Sequence, residues 1–475
     1  MTRSVRLAIL GAGTAGMTAL EEARRRTDDV LLINDGPYGT TCARVGCMPS
    51  KALVEVAHAY ARRTWLAGAG IRGGTSLEPD LPAVMAHVRA LRDRFTAGAT
   101  RAVSGLGERS IHGRPRFVDA HTLEVNGERI EADAFVIATG SRPIVPEAWK
   151  ALGDRLVTSD EVFELTAPAR RVAVVGLGPI GVELGQAFAH LGCEVHAFTR
   201  GPHVAGLSDP AVNQSLVDAL ETSMASVVTG ADVSVQPAGD SVRVTSGAGS
   251  VEVDWVLASL GRSPNLEGLG LEKLGVDLDE RGMPAFDAAT LRIGELPIYI
   301  AGDVSGLRPL LHEAADEGRI AAYHALHPNA ECLARRVPLG IVFTEPGAGR
   351  AGLAYRELPG TGVVTGAVDF SRQGRAVMAG RNAGRLHVYV ASDSGRVLGA
   401  EAVAPDAEHL LHLVAWSIQQ GSTVDAMLQM PVYHPTVEEG LRTALQAARR
   451  ELGRKRTQPD LPLCREAADQ TLGWS

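Results

Sequence analysis

The strongest constraint on the fold is a pair of glycine turns, each set between an apolar run and a helix-forming stretch. Gly11-Ala12-Gly13-Thr14-Ala15-Gly16 follows Val5-Arg6-Leu7-Ala8-Ile9-Leu10, and Met17 to Arg26 then read as helix. Gly176-Leu177-Gly178-Pro179-Ile180-Gly181 follows Arg171-Val172-Ala173-Val174-Val175 in the same way. In this order the glycines permit the tight turn, the close approach of a pyrophosphate, and the packing of helix on strand. One such turn is weak evidence, because any glycine-rich loop in an α/β protein can match it. Two of them, at 11 and 176 and so 165 residues apart, point to two dinucleotide-binding βαβ units.

Residues 42–51, Cys42-Ala43-Arg44-Val45-Gly46-Cys47-Met48-Pro49-Ser50-Lys51, carry the chemistry. Positions five apart on an ideal helix point about 140° away from each other. A disulfide needs its Cα atoms within roughly 7 Å, so regular helix would serve the pair badly. The sequence therefore predicts a bend, with Cys42 in or near an irregular turn and Gly46 relieving the backbone before Cys47. Pro49 suits the first turn of a helix. Cys47 is then expected beside a helix N-terminus, where the dipole favours a thiolate. The competing readings are two buried cysteines in a small-residue turn, or part of a metal site. No matching Cys/His pair stands elsewhere, and no metal is expected.

This stretch resembles the active-site disulfide of the flavin-dependent pyridine nucleotide–disulfide oxidoreductases. The resemblance implies that Cys42 and Cys47 form a redox-active disulfide. Cys42 would exchange with the substrate, and Cys47 would lie against the flavin as a charge-transfer thiolate. Lys51 would stand near the flavin edge, paired with Glu183 on the helix that opens at the second glycine turn. The implied fold class is α/β, with two Rossmann-like domains of glutathione reductase type and a C-terminal α+β dimerisation domain. Gly11, Gly13 and Gly16 would hold FAD, and Gly176, Gly178 and Gly181 would hold NAD(P). The expected boundaries are 1–145 for the FAD domain, 146–268 for the NAD(P) domain, 269–336 for a segment completing the FAD site, 337–452 for the interface and 453–475 for a tail.

Further stretches resemble the family in the expected order. Val30-Leu31-Leu32-Ile33 ends in Asn34-Asp35, where an acid ordinarily binds the adenosine ribose. The family's glutamate aligns with Asn34, so either Asn34 donates or Asp35 takes over, and Asp35 is favoured. Phe135 to Pro143, containing Thr139 and Gly140, resembles the crossover between the two nucleotide domains. Val256 to Asn265, containing Gly261, resembles the exit from the second. Ile298-Tyr299-Ile300-Ala301-Gly302-Asp303 resembles the strand whose aspartate binds the flavin ribityl chain. His312 and Glu313 start the following helix, whose N-terminus is expected to face the flavin. Met430 to Glu439 places His434 five residues before Glu439. That spacing resembles the catalytic pair supplied across a homodimer interface to the partner's disulfide. A carboxylate-oriented histidine can accept and return a thiol proton near neutral pH. Glu438 is the alternative orienter.

The sequence departs from the family where coenzyme choice is made. Val195-His196-Ala197-Phe198 ends in Thr199-Arg200, and Thr199 takes the place of the acid of NAD-preferring members. Arg200 aligns with one of two arginines that grip the 2′-phosphate in NADPH-dependent members, and Gly206 takes the place of the other. The activity implied is of dihydrolipoamide dehydrogenase type, acting on a small dithiol or disulfide or on a lipoyl protein. The alternatives are an NADPH-dependent low-molecular-weight disulfide reductase and a flavin-dependent quinone reductase. Mercury chemistry is disfavoured, because only Cys464 stands where mercuric reductases carry two adjacent cysteines.

Composition excludes other classes. The formal charge of −8 is dispersed with no basic stripe, which argues against a nucleic-acid partner. No apolar run approaches the ~18–20 residues of a membrane span. Five cysteines, at 42, 47, 193, 332 and 464, are too scattered for a secreted disulfide framework. Met1-Thr2-Arg3-Ser4 leads into a strand without a signal-peptide pattern, so a cytoplasmic location is expected.

Overall fold

A computed structural model describes residues 2–453 and 459–461, which leaves Cys464 and most of the expected tail outside the described residues. The chain divides into two compact units. One comprises Met1–Val56, Pro79–Ala169 and Trp255–Arg335; the other comprises Ala57–Glu78, Arg170–Asp254 and the chain from Arg336 onward.

The first unit is built on a largely parallel sheet. Strand Thr2–Leu10 lies between Val30–Asn34 and Glu128–Ile137, with Ser110–His112 and Ile298–Ile300 added outside them. Successive side chains on a strand point to opposite faces, and here both faces are covered. Leu7, Ile9 and Val136 pack with Ala15, Ala19 and Ala321, while Ala8, Leu10, Phe135 and Ile137 pack with Phe117 and Leu123. This explains an apolar run without polar alternation. Helix Thr14–Arg24 meets helix Leu311–Leu326 almost backbone to backbone, since a Cβ on Gly318 would lie 2.2 Å from the Ala15 carbonyl oxygen. That contact sets the start of the first helix against the end of strand Ile298–Ile300.

The second unit repeats the βαβ pattern. Parallel strands Arg171–Val175, Glu194–Phe198 and Ser226–Val228 are accompanied by helices Pro179–His190 and Pro210–Ser223. An antiparallel three-stranded sheet spans residues 234–253. The C-terminal part is α+β. Its five antiparallel strands run in the order Leu339–Val342, Gly347–Gly352, Val397–Ala404, Arg385–Ala391, Val363–Asp369. Helices Ala407–Gln419 and Glu438–Glu451 bury Leu410, Leu411, Leu441 and Leu445 against Leu386, Val388 and Ala402. The α/β class with two Rossmann-like parts and a C-terminal α+β part is therefore the observed architecture.

Two buried acids join parts of this second unit. Glu401, with no exposed surface, accepts from the backbone N–H groups of Ser208 (2.8 Å), Asp209 (2.8 Å) and Tyr355 (2.9 Å). Asp209 caps helix Pro210–Ser223 through Oδ1, and its Oδ2 accepts from Tyr389 Oη at 3.0 Å and meets His387 Nδ1 at 2.7 Å. Each carboxylate is buried and fully engaged, the arrangement in which a buried charge is tolerated.

His190 has no such compensation. Its Nδ1 is buried without a hydrogen-bond partner among the described residues, and the His58 ring lies 5.7 Å away. Burial first, and then the neighbouring His58, push its pKa down to about 4, against the opposing pull of Glu345. The folded state thus binds its proton less readily than the unfolded chain, so stability is fully present above about pH 6.5 and declines as pH falls towards 4. A shift of this size corresponds to about 3 kcal/mol in total. Urea unfolding at pH 6.5 and 4.5 should show this decline in the wild type and lose most of it in His190→Leu.

Candidate active site

The redox loop begins at Thr40, which adopts φ +59° and accepts the Ala43 N–H on its hydroxyl at 3.2 Å. This cap opens a short helix, Thr41–Val45. Cys42 therefore sits in a short helical turn, near and not in the irregular backbone, which falls at Thr40 and Gly46 on either side of it. The break comes at Gly46, with φ −121° and ψ −121°, after which helix Cys47–Ala61 starts. A Cβ on Gly46 would lie 3.1 Å from both Cys42 Cα and the Thr41 carbonyl oxygen, so a side chain there would press on the preceding turn and push the two helical pieces apart by a few tenths of an ångström. The five-residue spacing is thus met by two helices and a kink.

Cys42 is half-buried and Cys47 exposed, and the two thiols are in hydrogen-bonding contact. That contact, followed by burial, drives the Cys42 pKa well above the ordinary thiol range, and Lys51 only partly opposes it. Cys47 is the first residue of a fifteen-residue helix, where the dipole favours negative charge.

The first glycine turn has the form of an anion cradle. Gly11 takes φ +112°, and a Cβ there would lie 2.2 Å from the Ala138 carbonyl oxygen. A Cβ on Gly16 would lie 1.8 Å from the Gly11 oxygen. Gly13 starts helix Thr14–Arg24 without any side-chain cap, and its Cβ position faces open space. Uncapped N–H groups at a helix start beside open space suit the pyrophosphate of FAD. Asn34 braces this turn, accepting from Ala12 N–H at 3.0 Å and donating to the Gly36 oxygen at 2.5 Å. Asp35 is exposed, 3.9 Å from Arg114 Nε.

Thr139 Oγ1 donates to the Asn265 oxygen at 2.7 Å, and Asn265 N–H donates to the Gly140 oxygen at 2.9 Å. Gly261 accepts from Ile144 N–H at 3.0 Å. These three residues hold the crossover and exit strands together. Asp303 accepts from Ser141 Oγ at 3.0 Å, and Ser141 Oγ accepts from Arg262 Nε at 2.8 Å. A carboxylate with remaining acceptor capacity beside the glycine turn's sheet suits hydroxyl donors. Sequence reasoning missed Ser141, Arg262 and Glu317. Glu317, nearly fully buried, accepts from Gly302 N–H at 2.8 Å and Ser305 Oγ at 2.9 Å, and burial raises its pKa against the pull of Arg335. The available signal was a second glutamate four residues after Glu313 on an alanine-rich helix.

In the second unit, Gly176 takes φ +98° and donates to the Phe198 oxygen at 2.8 Å, and Gly178 starts helix Pro179–His190 uncapped beside open space. Gly181 is buried in that helix. The same test therefore favours a second dinucleotide pyrophosphate. Glu183 is buried and accepts from Phe343 N–H at 2.8 Å. Lys51 belongs to the other unit, and its pairing with Glu183 stays an expectation. Thr199 is half-buried, and Arg200 is exposed and pairs with Asp232, a residue the sequence did not single out.

His434 and Glu439 come together as expected from their spacing. His434 Nδ1 lies 2.9 Å from Glu439 Oε1, while Glu439 Oε2 accepts from Thr436 N–H at 3.1 Å. Glu439, and not Glu438, makes this bond. The bond from His434 holds the Glu439 carboxyl below the usual range, so it remains an acceptor. A proton held at Nδ1 leaves Nε2 as the basic atom on a ring that is 81% exposed.

A model of the pyridine nucleotide-disulphide oxidoreductase family matches residues 5–318, and one of that family's dimerisation domain matches residues 339–445. A dihydrolipoyl dehydrogenase of Thermus scotoductus is 32% identical over 455 residues, covering 94% of this chain and 97% of its own length. A mercuric reductase of Staphylococcus aureus is 28% identical, covering 92% of this chain and 81% of its own. The crystal structure of LpdA from Mycobacterium tuberculosis agrees with a TM-score of 0.80 at 28% identity, covering 94% of this chain and 99% of that one. The HOCl-induced flavoprotein disulfide reductase RclA from Escherichia coli, as its Cu(II) complex, reaches 0.81 at 22% identity, with coverage of 94% and 99%, and shares the fold.

The Asn34 and Asp35 geometries separate two roles. Asn34→Ala should destabilise the protein by about 1–3 kcal/mol, because Ala12 N–H loses its acceptor. Asp35→Ala should leave the melting temperature nearly unchanged and weaken FAD retention, read as flavin released on ultrafiltration.

Proposed function

Because this chain belongs to the pyridine nucleotide-disulphide oxidoreductases, whose cofactors are FAD and NAD(P), we propose that it is a dihydrolipoamide dehydrogenase-type enzyme. Its substrate in this reading is a small dithiol or a lipoyl protein. Residues 1–145 and 269–336 hold FAD, residues 146–268 hold the coenzyme, and residues 337–452 pair with a second copy. The single observation that carries the reading is geometric: two thiols in contact across the Gly46 kink, with Cys47 opening a fifteen-residue helix whose dipole favours a thiolate.

In the oxidised form, His434 Nε2 of the second copy takes a proton from the incoming dithiol. The thiolate so formed attacks Cys42 Sγ, the Cys42–Cys47 bond breaks, and Cys47 leaves with the electron pair as a thiolate. The second thiol then attacks the substrate sulfur of the mixed disulfide, closing the substrate disulfide and releasing Cys42. The histidine delivers the first proton to the departing Cys42 sulfur, and the second thiol gives its own proton to solvent water as it attacks, so that one proton stays on Cys42, one is released and Cys47 remains a thiolate. Glu439 keeps the ring oriented and stabilises its cationic form between those two events. FAD, when bound, supplies two-electron exchange between the reduced thiol pair and the nicotinamide. Asp303 and the uncapped helix at Gly13 serve to seat it, and Glu183 and Lys51 to orient the residues around it.

Two further observations support a homodimer. The matched C-terminal domain is a dimerisation domain, and Trp416 and Tyr433 on it are 69% and 82% exposed, a surface a second copy can cover. No helix among the described residues is long and apolar enough to cross a membrane. The second reading, NADPH-dependent reduction of a small disulfide, draws its support from Thr199-Arg200 standing where an acid would favour NAD.

Anaerobic addition of dihydrolipoamide to the oxidised protein should generate a long-wavelength thiolate–flavin absorbance that NAD⁺ or NADP⁺ discharges. Cys42→Ser should abolish turnover, and Glu439→Ala should lower kcat by about 10²-fold, the scale of lost acid–base catalysis. No reduction by dihydrolipoamide, with prompt reduction by NADPH, would move the assignment to small disulfides. Turnover surviving in Cys42→Ser with a quinone acceptor would place the chemistry at the flavin alone.

A further inference from the structure

The loop after strand Glu194–Phe198 is held from several sides. Thr199 N–H donates to the Val228 oxygen at 2.9 Å, Ala205 N–H to the Leu177 oxygen at 2.7 Å, and Ala231 N–H to the Thr199 oxygen at 3.2 Å. Buried Asn213 accepts from Val204 N–H at 2.8 Å and donates to the Pro202 oxygen at 3.3 Å. The backbone around Thr199 and Arg200 is therefore fixed to the glycine turn at Leu177, and adjustment is left to side chains. The strand end, where such sites place a ribose-binding acid, offers a hydroxyl and a cation. A carboxylate is nonetheless present: Asp232 Oδ1 lies 2.6 Å from Arg200 Nε, with the two side chains 80% and 88% exposed. An ion pair this exposed is held weakly, so either member can turn to a ligand.

We infer that Asp232 determines coenzyme choice by replacing the missing strand-end acid. It accepts from the 2′-hydroxyl of NAD(H), and it opposes the 2′-phosphate that Arg200 by itself would grip. A phosphate beside a guanidinium gains a charge-assisted bond. Here a carboxylate stands within reach of the same guanidinium, partly offsetting its charge and repelling the incoming anion. The site consequently favours the unphosphorylated coenzyme although it carries an arginine. This rests on the assignment of the second glycine turn to the nicotinamide nucleotide.

The test uses the full-length, FAD-loaded protein and two mononucleotide probes, 5′-ADP and 2′,5′-ADP, with affinities measured by calorimetry. The wild type should bind 5′-ADP more tightly. Asp232→Asn should raise the affinity ratio of 2′,5′-ADP to 5′-ADP about tenfold, and Arg200→Met should lower it about tenfold, as expected for one exposed charge contact. The ratio of kcat/KM for NADPH to that for NADH should move the same way in each variant. Mononucleotide binding needs no thiol substrate, so a wrong dithiol assignment would abolish turnover and leave these ratios intact. A change below about twofold in Asp232→Asn, a shift in the same direction in both variants, or no binding of either probe to the wild type would overturn the inference.

Discussion

A helix that starts without a side-chain cap is the constraint on which both nucleotide-binding parts depend. Gly13 and Gly178 each stand where a serine or aspartate would ordinarily satisfy the first N–H groups, and neither can. Those donors are left for an anionic ligand. Their position is then set by contacts that tolerate no side chain, as where Gly16 meets the Gly11 oxygen. Ala15 against Gly318 extends the same logic to the neighbouring helix. Bare backbone is the binding surface, and the surrounding packing is what keeps it bare.

The redox loop applies the same economy of side chains to a different end. Gly46 sets a five-residue helix against a fifteen-residue one, so that Cys47 opens the long helix while Cys42 lies in the short one. Two chemically identical groups thereby acquire different surroundings. In the proposed reaction that difference lets Cys42 trade protons with a base and Cys47 carry the charge. In the proposed reaction the His434–Glu439 pair supplies the base, and it is built on a separate unit with its own local bracing from Thr436.

The legible features were those written in short stretches of chain. The glycine turns, the strand ending at Asp303 and the His434–Glu439 spacing all join residues within a few positions, so local pattern carried them. What escaped was made by partners far apart in sequence. Asn34 serves the turn at Ala12, 22 residues away, which its place at a strand end did not reveal. Asp232 reaches Arg200 across 32 residues, and Glu401 reaches Ser208 across 193. The helical setting of Cys42 was missed for a local reason: Thr40 takes a left-handed φ to cap it, a conformation that β-branched residues seldom adopt.

The buried Glu401 has a wider meaning. It ties Ser208 and Asp209, at the start of a helix of the coenzyme-side βαβ unit, to the antiparallel sheet of the dimerisation domain through bonds with no water to replace them. Such a rivet leaves little room for hinging between these two parts, so rigidity gained in one is shared with the other.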